Sequence, residues 1–259
     1  MCKVIDTHSH LFVEEFDGDR FEVMQRAREA GVQYVLMPNI DLGSVEPMLK
    51  VCAEYPDFCY PMIGLHPTEV GAENDAALAE FKTLLDKHPF IAIGEVGLDL
   101  YWDKTYKKEQ LAVLEEQIGW ALDRNLPLVI HSREAFEELY NLFSHYKDTP
   151  IRGVFHSFTG TADEAHSLLE FPGFMLGING VVTFKKSTLP EALCGIPLSR
   201  LVVETDSPYL APMPFRGKRN ESAYVLRVVD KLAEVYGITP SQVARQTSLN
   251  ASTLFGLKL

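Results

Sequence analysis

The chain has 259 residues, 46% of them hydrophobic and 23% charged, and carries a net charge of −12. That length buries a full core without disulfide staples, and the composition excludes collagen-like and low-complexity chains. The acidity excludes a broad basic surface of the kind that holds nucleic acid by counterion release, so any polyanionic substrate must be drawn by bound metals and a local basic patch.

In chain order, short β-branched apolar runs alternate with longer stretches of helical period. The predicted strands cover residues 3–6, 32–37, 58–64, 90–95, 126–131, 152–156, 173–178 and 200–206. Predicted helices lie at 19–30, 44–55, 74–87, 106–124, 134–146, 161–170, 187–195 and 222–236, with an extra one at 240–255. Gly31, Asn125 and Gly237 stand where helix C-caps belong, Thr161 and Thr239 where N-caps belong, and Pro240 at a first helical position. Near-continuous hydrophobic strands separated by helices predict a parallel sheet covered on its outer face. Eight such units, with no GxGxxG after any strand, predict an α/β fold of the (β/α)₈ or TIM-barrel type, one domain over residues 1–259.

The four cysteines, Cys2, Cys52, Cys59 and Cys194, are scattered and form no CxxC, which predicts free thiols. MCKVI leads straight into polar DTHSH with no apolar leader, and no run is long enough to span a bilayer. These readings predict a cytoplasmic protein with no membrane contact and no obligate protein partner.

Reactive residues of an α/β barrel sit at the C-terminal ends of its strands. Of the eight histidines, His8 and His10 follow strand one, His66 follows strand three, His131 ends strand five and His156 ends strand six. His88, His145 and His166 fall in or at the ends of helices and read as incidental. Asp6 ends strand one, Glu95 and Asp99 leave strand four, and Glu204 and Asp206 end strand eight. So many imidazoles and carboxylates on one rim call for a cation to hold them together. In an extended DTHSH segment side chains alternate, so His8 and His10 point the same way and grip one ion. Glu95 has two oxygens and is the natural bridge to a second ion, completed by His131 and His156, with Asp206 reaching the first from strand eight. Mixed imidazole and carboxylate ligands suit Zn²⁺, Mn²⁺ or Fe²⁺ better than Mg²⁺. Glu204 is read as pointing away from the ligand set, as the partner of a neighbouring basic group.

Seven ordered blocks, VIDTHSHL, GLHP, IGEVGLDLYWD, LVIHSREA, FHSFTG, VVETDSPYLAP and RGKRNE, resemble the TatD-type metal-dependent deoxyribonucleases over residues 4 to about 255. The resemblance implies an amidohydrolase-like barrel with divalent metals (Zn, Mn or Mg) and 3′-to-5′ exonuclease action on DNA. Carried over position by position, its metal ligands are His8, His10, Glu95, His131, His156 and Asp206, and His66 matches a histidine that meets the substrate phosphate. Where relatives often carry a second histidine after GLHP, this chain has Thr68-Glu69.

The chemistry expected is hydrolysis of a phosphodiester by two metals sharing Glu95, with Asp206 taking the proton of the attacking water. His66, Arg133, Arg216, Lys218 and Arg219 would neutralise phosphate charge, the last three forming the densest basic cluster of an acidic chain. Tyr101 and Trp102, after strand four, would stack a terminal base or cover the barrel mouth. The alternatives are a C–N or ester hydrolase for a small molecule on the same site, and a metal-binding protein without turnover. A bridging carboxylated lysine is disfavoured because strand four ends in Glu95.

Overall fold

The computed structural model describes residues 3–259; Cys2 lies outside them. Strands β1 (Val4–Asp6), β2 (Val32–Pro38), β3 (Cys59–Met62), β4 (Ile93–Asp99), β5 (Leu128–Arg133), β6 (Gly153–Phe155), β7 (Phe174–Ile178) and β8 (Leu201–Val203) follow one another through helical crossovers. The helices are α1 (Arg20–Ala30), α2 (Leu42–Glu54), α3 (Asp75–Lys87), α4 (Lys107–Arg124), α5 (Phe136–Ser144), α6 (Ala162–Leu168), α7 (Leu189–Ala192), α8 (Val225–Tyr236) and α9 (Pro240–Phe255). The strands pair in parallel in sequence order within two arcs, β1-β2-β3 and β4 through β8. Single bridges close the ring, Ile63 to Ile93 between the arcs and Ser9 to Ser207 at the seam. The predicted (β/α)₈ barrel is therefore the fold.

Local chemistry sets the element ends. Gly31, Asn125 and Gly237 terminate α1, α4 and α8 in the left-handed conformation, with their N–H groups donating back to the last turn. Thr161 and Thr239 form reciprocal capping boxes with Glu164 and Gln242.

The barrel interior is filled by Ile5, Leu36, Met62, Ala92, Val129, Val154 and Val202, and α9 seals one end with Ala251, Leu254 and Phe255. That end is the N-terminal one. Ser248 donates to the Lys3 carbonyl just before β1, and Asn250 donates to the Leu201 carbonyl at the start of β8. With the bottom plugged, the ends of the strands at the other rim are the accessible ones.

Three elements differ from expectation. β4 runs from Ile93 to Asp99, so Glu95 lies within the strand instead of leaving it. Gly97 is required within the strand by close packing. It sits at φ 143°, and a Cβ there would lie 2.0 Å from the His131 carbonyl oxygen on β5. α7 keeps only four residues, and β8 stops at Val203. Cys52 and Cys59 are buried, Cys194 is exposed, and all three are free thiols. No helix among the described residues is long and apolar enough to cross a membrane.

Candidate metal centre and active site

The seam of the barrel builds the first half of the site. The His10 N–H donates to the Ser207 carbonyl at 2.7 Å, and the Asp206 N–H donates to the His8 carbonyl at 2.9 Å, so the DTHSH segment and the loop after β8 are laced together. Beneath them the buried Asp6 carboxylate accepts the Thr205 N–H at 2.8 Å and the Thr205 hydroxyl at 2.7 Å. Burial pushes that carboxyl up to about 7 against the pull of its hydrogen bonds from Ser222 and Thr205. Asp6 thus fixes the strand-eight loop and does not join the ligand set.

His8 and His10 do face the same point. Their Nε2 atoms are 3.2 Å apart. Glu95 Oε2 lies 3.0 Å from His8 Nε2, and Asp206 Oδ1 lies 3.6 Å from His10 Nε2. The other Glu95 oxygen turns toward the second cluster, with Oε1 2.9 Å from His131 Nδ1, 3.4 Å from His66 Nε2 and 3.8 Å from His156 Nε2. Asp206 Oδ1 is 3.8 Å from His156 Nε2. All six residues predicted as ligands therefore converge at the C-terminal rim, with Glu95 between the two groups.

These atoms fit divalent cations. Facing imidazole nitrogens can share a proton only pairwise, whereas a cation satisfies both nitrogens and the adjoining carboxylates together. In the metal-free state the carboxylates hold protons on the rings instead. Burial favours neutral imidazole at His156, but Glu204, Glu95 and Asp206 outweigh it and raise the group to about 10. His131 is raised to about 8 by Asp99 and Glu95 against the same opposing burial. His8 goes the other way, lowered by burial and by the neighbouring His156. Burial would raise Glu95, yet the histidines around it hold it well below the usual carboxylate range.

A stability prediction follows. A histidine raised above its unfolded value of about 6.5 stabilises the fold fully below that pH, and the contribution fades as pH rises toward about 10 for His156. The metal-free protein is expected to lose stability from pH 6.5 to 9.5, by up to about 1.4 kcal/mol per pH unit for each proton released. Metal binds neutral imidazole, so loading removes that dependence and releases protons to the buffer. Urea unfolding with and without metal checks this; identical pH profiles would refute the assignment of these rings as ligands.

The second half of the site holds a correction. Glu204 does not turn away toward a basic side chain. It is fully buried inside the barrel, with Oε1 2.9 Å from His156 Nδ1 and accepting the Ser157 N–H at 2.6 Å. Residues two apart in an extended segment share a face, as His8 and His10 do, so the expectation that Glu204 points away from the side of Asp206 misapplied alternation; both residues reach inward. Gly177 on β7 makes the room, since a Cβ there would come within 2.4 Å of Glu204 Oε2. Asp99 plays the matching part for the other histidine, with Oδ2 3.1 Å from His131 Nε2. Each of these carboxylates lies behind a ring whose other nitrogen faces the centre, the placement from which carboxylates orient histidines in metal sites.

His66 Nδ1 meets the Thr68 N–H at 3.2 Å and the Thr68 hydroxyl at 2.7 Å, and its Nε2 faces Glu95 at 3.4 Å. The cavity over the centre holds about 530 Å³ and is walled by His66, Arg133, Ser157 and Tyr209 besides His10, Glu95, His131, His156 and Asp206. Arg216, Lys218 and Arg219 are not among its lining residues. Arg219 is committed elsewhere, paired with Asp19 at 2.7 Å and resting over the Phe16 ring. Asn220 donates to the Thr205 and Tyr209 carbonyls, and Glu221 pairs with Arg26 at 2.6 Å. The RGKRNE block is therefore largely an anchor for the strand-eight loop, and its basic character misled the sequence reading at Arg219.

A family described as TatD related DNase matches residues 5–256. The chain belongs to that family. It is 38% identical to the uncharacterized metal-dependent hydrolase YabD of Bacillus subtilis (strain 168), the match covering 97% of this chain and 98% of that one. It is 31% identical to the 3′-5′ ssDNA/RNA exonuclease TatD of Erwinia tasmaniensis, over 98% of this chain and all of the relative. Among solved structures, YjjV, a TatD homologue from Escherichia coli K12, superposes with a TM-score of 0.92 at 29% identity and covers 99% of both chains. The protein is a TatD-family metal-dependent hydrolase.

Proposed function

We propose that this TatD-family protein is a phosphodiesterase that degrades nucleic acid from the 3′ end, using two divalent cations. The observation that carries the reading is Glu95, whose two oxygens face two separate imidazole clusters at the floor of an open cavity. The Erwinia tasmaniensis relative named as a 3′-5′ ssDNA/RNA exonuclease supports the choice of substrate.

His8, His10, Glu95 and Asp206 would hold one cation, and Glu95, His131 and His156 the other. Bound divalent metals supply Lewis acidity and neutralise phosphate charge. Asp206 lies at the cavity wall with its side chain 14% exposed, placed to accept a proton from the attacking water. His66, whose Nε2 faces the cavity, would meet a phosphate oxygen, and the Arg133 guanidinium at the cavity edge would offset charge that develops on phosphorus. Arg216 and Lys218, on the loop after β8 and outside the cavity wall, would meet the flanking phosphates of a polymer.

The test is an activity panel on 3′- and 5′-labelled DNA and RNA oligonucleotides across Zn²⁺, Mn²⁺ and Mg²⁺, beside carboxylate esters and amides. Mononucleotide release from the 3′ end is the expected result; turnover of the esters or amides alone would move the protein to small-molecule hydrolysis. His66→Ala is expected to raise KM at least about tenfold for an oligonucleotide, with metal content unchanged. Elemental analysis beside steady-state kinetics checks it, and loss of metal would make His66 a ligand instead.

A further inference from the structure

Two large aromatic side chains stand in solvent beside the cavity. Tyr101 is 49% exposed and Trp102 70% exposed. A single exposed aromatic needs no explanation, but this pair is built into the site. The buried Asp99 carboxylate accepts the Tyr101 N–H at 3.0 Å and the Trp102 N–H at 3.4 Å through Oδ1, while its Oδ2 holds the metal-centre residue His131. One carboxylate thus fixes both the aromatic turn and a ring of the metal centre. Arg133 ties the two regions a second time. It lines the metal cavity, and its guanidinium lies 4.0 Å from the Tyr101 ring centre and 5.1 Å from that of Trp102. Tyr101 and Trp102 meet edge to face at 83°, so Tyr101 and Arg133 buttress the indole and leave it most of its surface in solvent.

The geometry points to a nucleobase platform: Trp102, backed by Tyr101 and Arg133, stacks one unpaired base of a nucleic-acid strand whose neighbouring phosphate lies in the metal cavity. The inference rests on the nuclease reading above and adds how the strand is held. Stacking suits this acidic chain, because it supplies affinity that needs no positive surface. It also predicts preference for single strands and tolerance of base identity, since every base offers a π-face and a paired base does not expose it. The ribose is not read, so DNA and RNA are both expected to bind.

Trp102 reports on itself. The chain has two tryptophans, and the other, Trp120, is 4% exposed within α4. Metal-loaded protein would be titrated with phosphorothioate-linked dT10, with rU10 of the same linkage, and with a ten-unit abasic phosphorothioate of equal charge. Indole fluorescence is expected to be quenched by dT10 and rU10 and not by the abasic chain. Trp102→Ala should weaken dT10 binding about 5- to 100-fold and abolish discrimination between dT10 and the abasic chain, while Trp102→Phe restores most of it. If Trp102→Ala binds dT10 as tightly as the unmodified protein, and the latter still degrades labelled oligonucleotides, the platform is wrong and the nuclease reading stands. If the unmodified protein neither binds nor degrades any of these chains, the nuclease reading falls and the platform with it.

Discussion

Asp206→Asn is expected to lower kcat at least about a hundredfold while the protein keeps part of its metal. The residue sits at φ 59° on the loop after β8, its N–H donating to the His8 carbonyl, so its position is set by backbone and survives the substitution. Its Oδ1 lies 3.6 Å from His10 Nε2, 3.8 Å from His156 Nε2 and 3.9 Å from His8 Nε2. Burial alone would raise this carboxyl, but His156, the hydrogen bond to His10, and His8 pull it below its ordinary value, so it is ionised and has an open site for a proton at neutral pH. The amide keeps one oxygen ligand and the shape, and loses the charge and the capacity to take a proton. General-base groups contribute about 10²- to 10⁴-fold, which sets the size of the loss. Metal stoichiometry measured beside kcat and KM on a 3′-labelled oligonucleotide decides it. Wild-type kcat with full metal would place the base elsewhere and overturn the proposed chemistry.

Glu204→Ala is expected to weaken metal binding about 10- to 100-fold, the usual loss when the group behind a ligating histidine is removed. The carboxylate oxygen that faces His156 Nδ1 also accepts the Ser157 N–H, so its loss frees the ring to adopt the wrong tautomer and leaves a buried donor unpaired. Glu204→Gln retains a carbonyl oxygen able to serve both, and should recover much of the affinity. Calorimetric titration with Zn²⁺ distinguishes the roles. Equal affinity in all three proteins would make Glu204 a packing residue only. Gly177→Ala offers an independent check, because its methyl group would press on the same carboxylate and should also weaken binding.

The convergence of the six candidate ligands could be read from the sequence because strand order alone brings them to one rim. Histidines and carboxylates placed at successive strand ends must share a rim once the strands close into a barrel, whatever the packing details. The helix caps were legible because Thr161 with Glu164 and Gly31 after α1 act within one turn of the chain. The sequence placed Glu95 at the end of strand four, whereas β4 runs on to Asp99, because Gly97 packs against the His131 carbonyl on the neighbouring strand.

Tertiary structure alone decided the rest. Glu204 and Asp99 act through residues 48 and 32 positions away, His156 and His131, and no period in the sequence connects them. Arg219 resembled a phosphate contact in a basic run until Asp19, on the far side of the barrel seam, was seen to hold it. Asp6 stood among the carboxylates at the strand ends, and only the closure of β1 onto the loop after β8 gives it its partner, Thr205. The difference is physical. Which residue types gather at the rim follows from strand order, which the sequence encodes directly. Which of them face the centre and which stand behind it depends on long-range contacts between strand ends, such as Glu204 with His156 and Asp99 with His131.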